Sequence, residues 1–404
     1  LNSEGIPLDD LISQCHAVLS RRGEATGLAL AGSVVGSWQA LESDQHLSFF
    51  KALIVEFGPD QERLEQAIAD YQKNVDDVNV MRLHQAAEAK RQELFRRINA
   101  APNGLQTLIL MREALRRLLR ERPELKPIDQ DLVHLFTSWF NKGFLRLERI
   151  DWQTPAAVLE KLIQYESVHE IQGWDDLRRR LAEDRLCFAY FHPVIPDEPL
   201  IFVEVALVQG MSDAVAPLLD SPPVPPIAAD TAVFYSINNC QPGLAGVSFG
   251  NLLIKQVVSV LQAEHPRLKR FVTLSPIPGL RLWLETEGLE FLHRFESSDD
   301  ETALKSIVAQ YLTSGHGAKL KDPVARFHLG NGATLEQINA GADLSSRGQQ
   351  QSFGFMVNYL YELDDIVRNH EQLMESGQIA TSKDVQQLLN KTRKHQLKEL
   401  SHDA

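Results

Sequence analysis

The hydrophobic period of this 404-residue chain changes near residue 150. Before that point apolar residues recur every three or four positions, as in PLDDLISQCHAVLSRR, which is the spacing of amphipathic helices. After it, short apolar runs such as CFAYF, LIFVEVALV and TAVFYSIN alternate with helical segments, which indicates a sheet covered by helices. We therefore predict an α+β chain with an all-helical bundle domain over 1–150 and a mixed α/β domain over 151–404.

Several helix boundaries can be predicted in more detail. Asp60 has the position of an N-cap before ERLEQAIADYQK, and MRLHQAAEAKRQELFRRINAA predicts one helix over 81–101. Further helices are expected near 129–141, after Thr154 and Pro155, and near 249–264. Short Pro/Gly breaks between the early helices indicate an antiparallel bundle, which we expect to supply the interface of a homo-oligomer (dimer or tetramer).

Composition excludes several classes of protein. The formal net charge is −13 without a long basic block, which argues against a nucleic-acid partner. No run approaches the 18 apolar residues of a membrane span, so no membrane partner is expected, and cytoplasm is the expected location. The three cysteines are widely spaced, which favours a reduced compartment over a disulfide scaffold, and no metal site is indicated.

A strand, a glycine-rich turn and a helix follow one another in TAVFYSINNCQPGLAGVSFGNLLIKQVV. Gly243 and Gly246 allow tight turning, and Gly250 leaves room for a close approach. The backbone N–H groups of about 246–251 are free at the start of a helix, where they suit a phosphate. On spacing alone, an ordinary turn and a phosphate-binding loop are equally compatible with this pattern.

Two further motifs contain chemically useful side chains. In TLSPIPG, Ser275 ends a strand, and its hydroxyl is either a local cap or a ligand-binding group. In FHLGNGATLEQ, His328 stands beside an Asn-Gly turn, and Thr334 with Gln337 predicts a capping box for a short helix. QSFGFMVNYLYELDDI predicts a helix over 351–366 whose aromatic residues belong to the core.

Together these segments resemble the malonyl-CoA decarboxylase family. The motifs that carry the resemblance are FYSI, GLAGVSFGNLLIKQVV, LSPIPG, FHLGNGATLEQINAGADLSSRG and VNYLY, in this order over roughly 230–365. The resemblance implies a helical oligomerisation domain and a GNAT-like catalytic domain, in which coenzyme A lies where two adjacent parallel strands diverge. It also implies conversion of malonyl-CoA to acetyl-CoA and CO₂ without a metal or organic cofactor.

The resemblance also assigns residues. Ser275 and His328 fall on the catalytic serine and histidine of the family, and Tyr361 falls on a supporting active-site tyrosine. Some relatives have a glutamate at the position of Ser248, so the interaction that orients the catalytic pair must differ here. The positions implied to bind the coenzyme A pyrophosphate are Gly243, Ala245, Gly246, Val247, Ser248, Phe249, Gly250 and Asn251.

Two other functions stay open at this point. A GNAT-type acyltransferase would use the same acyl-CoA site and add an acceptor amine. A non-catalytic sensor would bind malonyl-CoA and leave it intact. Release of CO₂ without an acceptor distinguishes a decarboxylase from both.

Overall fold

A computed structural model of the chain describes residues 8–20, 23–141, 143–247, 250–315 and 319–391, with the side chains of 250–252 left out. None of the described helices is both long and apolar enough to cross a membrane.

The described chain divides into two compact units. The first unit is helical and takes the residues up to Arg146 together with Phe191–Glu198 and 241–247. The second unit contains most of the sheet, and its described residues are Leu147–Tyr190, Pro199–Cys240, 250–315 and 319–391.

The helical unit is built on an aromatic and aliphatic core. Phe49, Phe50, Phe95 and Phe136 are at most 1 % exposed, and such aromatic burial dominates the stability of a small bundle. The Asp60 cap is confirmed, because its side chain accepts a hydrogen bond from the N–H of Arg63. The helices are α1 (Leu8–Leu19), α2 (Glu24–Gln39), α3 (His46–Val55), α4 (Gln61–Lys73), α5 (Asp77–Ala87), α6 (Lys90–Asn99), α7 (Gly104–Leu118) and α8 (Lys126–Trp139).

The prediction of one helix over 81–101 was wrong. The chain leaves α5 at Ala87 and starts α6 at Lys90. The N–H groups of Lys90 and Arg91 bond to the carbonyls of Gly58 and Phe57. Because these N–H groups take partners elsewhere in the unit, the helix cannot continue through them.

The second unit is organised around a mixed sheet, whose described strands run in the order β1-β2-β3-β4-β5-β8-β6, with β7 on β8. β4 and β5 are parallel, whereas β2 with β3, β3 with β4, and β8 with β5, β6 and β7 pair antiparallel. The strands are β1 (Arg146–Ile150), β2 (Arg185–Phe191), β3 (Ile201–Val208), β4 (Thr231–Asn239), β5 (Arg270–Thr273), β6 (Ser275–Pro276), β7 (Thr334–Asn339) and β8 (Met356–Leu360).

Helices fill the connections between these strands. The one that follows the glycine-rich turn starts within a residue of the predicted position. The helices are α9 (Ala156–Tyr165), α10 (Trp174–Arg180), α11 (Ala216–Asp220), α12 (Gly250–Glu264), α13 (Leu280–Glu287), α14 (Leu289–Glu296), α15 (Glu301–Leu312), α16 (Pro323–Gly330), α17 (Ser346–Ser352) and α18 (Leu363–Ser376). Helices and a mixed sheet in this order confirm the predicted α+β class.

The helix predicted over 351–366 was wrong, because the middle of this segment is β8. Phe353 and Gly354 have φ values of 54° and 78°, a left-handed pair that ends α17 and releases the chain into an extended conformation. The first four residues of β8 are buried in succession. A strand with both faces covered shows no alternation of apolar and polar residues. The spacing of its aromatic residues was therefore compatible with a helix.

The capping box at Thr334 and Gln337 was also wrong. Both residues lie on β7, where Thr334 pairs with Leu360 and Gln337 with Asn358 of β8. Tertiary pairing overrides the local capping preference here.

Candidate active site

The parallel strands β4 and β5 diverge within the second unit. They pair from Thr231 with Arg270 as far as Phe234 with Thr273, and the last bond joins the N–H of Leu274 to the carbonyl of Phe234, at 2.9 Å. Beyond this point β4 continues along β3, whereas Ser275 pairs with Val357 of β8. The two parallel strands therefore separate at their carboxyl ends, which is the position where α/β folds bind ligands.

A β-bulge in β4 accounts for the divergence. Glu204 of β3 pairs with Ser236 and Val205 pairs with Phe234, so Tyr235 is the extra residue of the longer strand. A bulge bends its strand and increases the local twist. It falls directly after the last pair between β4 and β5, so β4 turns away from β5 at this residue.

Ser275 and His328 meet at the point of divergence. The Ser275 Oγ lies 3.1 Å from the His328 Nε2 and 2.9 Å from the Thr273 Oγ1. On the other side of the imidazole, the Nδ1 lies 2.8 Å from the hydroxyl of Tyr361. These four side chains form a continuous series of hydrogen bonds, which we call the hydroxyl–imidazole chain, and each is at most 5 % exposed.

One arrangement of hydrogens satisfies every contact of the hydroxyl–imidazole chain. The Ser275 hydroxyl donates to the Thr273 Oγ1, which also accepts the N–H of Tyr359 at 3.2 Å. The His328 Nε2 must then carry a hydrogen to bond to Ser275, and the bare Nδ1 accepts the hydroxyl of Tyr361. With the hydroxyl hydrogens placed in this way, His328 is the neutral tautomer that carries its hydrogen on Nε2.

The surroundings keep the imidazole neutral. Burial lowers the pKa of His328 to about 3, because a charged ring would lose its hydration. The ring stacks on Tyr359 with centroids 4.6 Å apart. Burial also raises the pKa of Tyr361 above its ordinary value. All four side chains of the hydroxyl–imidazole chain are therefore uncharged at neutral pH.

Helix α16 holds His328 in its last turn. The helix starts at Asp322, whose carboxylate accepts the N–H groups of Val324 and Ala325 at 2.9 and 2.8 Å, with Pro323 at the first helical position. Asp322 is fully buried, and it also accepts the Tyr311 hydroxyl at 3.2 Å. Its burial raises the pKa of this carboxyl.

The same carboxylate reaches the segment that contains Ser275. The N–H of Gly279, four residues after Ser275, faces Asp322. A Cβ at Gly279 would lie 2.2 Å from the Tyr311 Oη, so this turn needs a glycine. The Asp322 carboxylate therefore contacts both the turn that follows Ser275 and the start of helix α16, which contains His328.

The predicted pyrophosphate-binding residues divide between the two units. Described residues of the turn, Gly243, Ala245, Gly246 and Val247, belong to the helical unit. Ser248 and Phe249 lie outside the described residues. The interaction that replaces the glutamate of some relatives at position 248 is therefore not described either. Gly250 and Asn251 form the start of α12 in the second unit.

Sequence reasoning missed Thr273 and Asp322. Thr273 had no signal of its own, because a buried threonine on a strand is ordinary. The Asp-Pro pair at Asp322 was a readable sign of a helix start. Within the described ranges, no three His, Cys, Asp or Glu side chains are grouped as metal ligands.

Comparison with known proteins gives consistent matches along the chain. The malonyl-CoA decarboxylase C-terminal domain family matches residues 143–301 and 293–399, and the N-terminal domain family matches residues 57–140. The mitochondrial malonyl-CoA decarboxylase of Anser anser anser is 35 % identical over 343 residues, 72 % of this chain and 68 % of the relative. The corresponding mouse protein is 33 % identical over 359 residues, 76 % of this chain and 73 % of the relative.

Solved structures agree with these matches. The malonyl-CoA decarboxylase of Rhodopseudomonas palustris has a TM-score of 0.88 at 48 % identity, covering 95 % of this chain and 100 % of its own. That of Agrobacterium vitis has a TM-score of 0.87 at 46 % identity, covering 94 % and 99 %. The fold and the matches define an enzyme of the carboxy-lyase class. More narrowly, this chain belongs to the malonyl-CoA decarboxylase family.

Proposed function

We propose that this enzyme converts malonyl-CoA to acetyl-CoA and CO₂, with Ser275 and His328 as its catalytic residues. The observation that carries the proposal is the buried 3.1 Å contact between Ser275 and His328 where β4 and β5 diverge. Membership of the family supports the substrate. A hydroxyl and an imidazole in contact are a sufficient set for binding an oxyanion and moving a proton.

The chemistry needs an electron sink and a proton. The bond between the α-carbon and the carboxylate breaks, CO₂ leaves, and the electron pair moves into the thioester as an enolate. A hydrogen-bond donor aimed at the enolate oxygen is worth about 3–4 kcal/mol, and one proton added to the α-carbon completes acetyl-CoA. Because the thioester accepts the electron pair, we propose that no metal or organic cofactor takes part, and equal activity with and without a chelator tests this.

The hydroxyl–imidazole chain permits two divisions of labour. In the first, Ser275 binds the carboxylate or thioester oxygen and His328 protonates the α-carbon. In the second, Ser275 gives its own proton to the α-carbon and takes another from the His328 Nε2. Exchange of the acetyl-CoA methyl hydrogens in D₂O measures proton delivery without CO₂ loss. Ser275→Ala loses this exchange under the second division, and it retains the exchange under the first if Ser275 binds the carboxylate, which acetyl-CoA lacks.

Release of ¹⁴CO₂ from carboxyl-labelled malonyl-CoA tests the proposed reaction, with free malonate as the control. We expect release with malonyl-CoA in the absence of any acyl acceptor, because the reaction needs one substrate and a proton. An acyltransferase would transfer the acyl group to an added amine instead. A sensor would bind malonyl-CoA and release no label, which contradicts the proposal.

Tyr361 is expected to act by fixing the His328 tautomer. Tyr361→Phe removes the hydroxyl that lies 2.8 Å from Nδ1, so kcat should fall about tenfold, the worth of one buried hydrogen bond, with KM nearly unchanged. Tyr71→Phe on α4, in the helical unit, is the matched control. Steady-state kinetics at pH 7 check the prediction, and a wild-type kcat for Tyr361→Phe would refute it.

We also propose that the helical unit mediates homo-oligomerisation. Several apolar side chains on α5 are about half exposed: Val78, Val80 and Met81. Burial of such side chains between copies would be favourable. Light scattering of the full chain measures its mass, and a monomer at micromolar concentration contradicts the proposal of homo-oligomerisation.

The cytoplasmic location stays a prediction.

A further inference from the structure

The antiparallel ladder between β5 and β8 changes its bonding at Thr273, beside the hydroxyl–imidazole chain. The pairs on both sides of this residue keep one register: Val272 with Leu360, and Ser275 with Val357. The N–H of Tyr361 bonds to the carbonyl of Phe271 at 2.8 Å. A regular ladder would repeat this bond two residues further along, from the Tyr359 N–H to the Thr273 carbonyl.

Side chains take the place of this ladder bond. The N–H of Tyr359 bonds to the Thr273 Oγ1 at 3.2 Å, and the Thr273 carbonyl accepts the side-chain amide of Asn358 at 2.8 Å. The same amide nitrogen donates to the carbonyl of Ser212 at 3.1 Å. Thr273 and Asn358 are both fully buried. These bonds fix the Thr273 side chain, so its Oγ1 is an acceptor at a set position.

The other end of the hydroxyl–imidazole chain indicates which nitrogen of His328 carries the hydrogen. Burial raises the pKa of Tyr361, and a hydrogen bond from the side-chain amide of Asn331 opposes this rise, so that amide acts as a donor towards the phenol oxygen. In the described part of the chain, the one acceptor that contacts the Tyr361 hydroxyl is the His328 Nδ1. An imidazole that accepts a hydrogen bond at Nδ1 and is neutral carries its hydrogen on Nε2.

This arrangement sets the direction of the hydrogen bond between Ser275 and His328. The Nε2 hydrogen points to the Ser275 Oγ, 3.1 Å away, so the Ser275 hydroxyl donates to its other neighbour, the Thr273 Oγ1 at 2.9 Å. A serine that acts as a nucleophile has the opposite arrangement, because it must donate its hydrogen to a bare imidazole nitrogen.

We propose that Thr273 is a positioning residue, which accepts the Ser275 hydroxyl and thereby keeps Ser275 from acting as a nucleophile towards the thioester. It acts through Ser275 on His328, whose Nε2 keeps the proton that decarboxylation needs. The proposal rests on the proposed function of this pair. It adds a reason why the pair removes CO₂ instead of forming an acyl-serine.

The ¹⁵N spectrum of the labelled protein tests the proposal, because bare and protonated imidazole nitrogens have well-separated shifts. The signals of His328 are those that His328→Ala lacks, and in the wild type we expect a protonated Nε2 and a bare Nδ1. Thr273→Val removes the acceptor, so the Ser275 hydroxyl can turn to Nε2. The tautomer ratio should then shift about tenfold towards the Nδ1-protonated form, the worth of one buried hydrogen bond.

Kinetics separate positioning from a structural role. The kcat of Thr273→Val should fall in proportion to the lost population of the Nε2-protonated form, with KM nearly unchanged. Thr273→Ser keeps an acceptor and should recover both the tautomer ratio and kcat. Thr231→Val is the matched control, since Thr231 is a fully buried threonine at the start of β4, and it should leave the tautomer of His328 unchanged.

Two results would overturn the proposal. A wild-type His328 protonated at Nδ1 would show that Ser275 donates to the imidazole, and this measurement decides even if Thr273→Val does not fold. An unchanged tautomer ratio in folded Thr273→Val would show that Thr273 does not direct the hydroxyl. Absence of ¹⁴CO₂ release from the wild type would instead overturn the proposed function, whereas the spectra need no substrate and decide the direction of the hydrogen bond independently.

Discussion

His328→Ala is expected to lower kcat by about 10² or more, because it removes the group that we propose to move or relay the proton. The imidazole has contacts to Ser275 and Tyr361 at 3.1 and 2.8 Å, so its loss also leaves both hydroxyls without their partner. Binding of coenzyme A should change little. Initial rates of ¹⁴CO₂ release, with the Kd of coenzyme A measured alongside, check the result.

Ser275→Ala should have an effect of the same order, and the double variant should be little worse than either single one. Residues that act as one unit show this lack of additivity. His293→Ala is the control, since His293 is largely exposed on α14. Near-normal turnover in either single variant would remove that residue from the mechanism, and multiplicative effects would contradict a joint action.

The second large effect concerns a buried ion pair between Arg180 and Glu204, and Glu204 lies on β3 opposite the bulge of β4. The Arg180 Nη1 donates to the Glu204 Oε2 at 2.7 Å, and both side chains are at most 2 % exposed. At pH 8.5, where Glu204 is largely ionised, Arg180→Met leaves the carboxylate without its partner, which typically destabilises a protein by about 3–5 kcal/mol. Urea unfolding measures the change. Arg368→Met, in an exposed pair with Asp365, should cost under about 1 kcal/mol.

The effect of Arg180→Met should depend on pH. Burial, then repulsion from Glu166, raises the pKa of Glu204 to about 8 from an ordinary 4.5, against the attraction of Arg180. Since the folded state holds this proton more tightly than the unfolded chain, the contribution of Glu204 to stability is present below pH 4.5 and is lost as pH rises through about 8.

Arg180→Met should therefore be more damaging at pH 8.5 than at pH 5.5. Adding Glu204→Gln should recover part of the lost free energy at pH 8.5, because no unpaired charge then remains. Equal losses at the two pH values, or no recovery in the double variant, would show that the carboxylate is not what destabilises the single variant.

The sequence predicted the architecture well where the spacing of apolar residues was compatible with one type of element alone. The strand before the glycine-rich turn and the helix after it begin near their expected residues, since a β-branched run and a helical period adjoin there without conflict. The failure at β8 has a physical cause. A central strand buried on both faces has no alternation of apolar and polar residues. Its start is set by the left-handed conformation of Phe353 and Gly354, which a periodicity analysis does not detect.

The candidate site was less accessible to local reasoning. Ser275 and His328 are 53 positions apart, and no periodicity links them, so their pairing rested on resemblance to the family. Thr273 and Asp322 act through contacts that exist after folding.

Asp322 has a consequence for how the enzyme samples other conformations. Its one carboxylate accepts from α15 and α16 and faces the turn after β6. A fluctuation that moves the serine segment away from the histidine helix would separate a buried carboxyl group from several of its donors. Such openings are therefore rare and collective, and the spacing of the reacting groups is set before any substrate arrives.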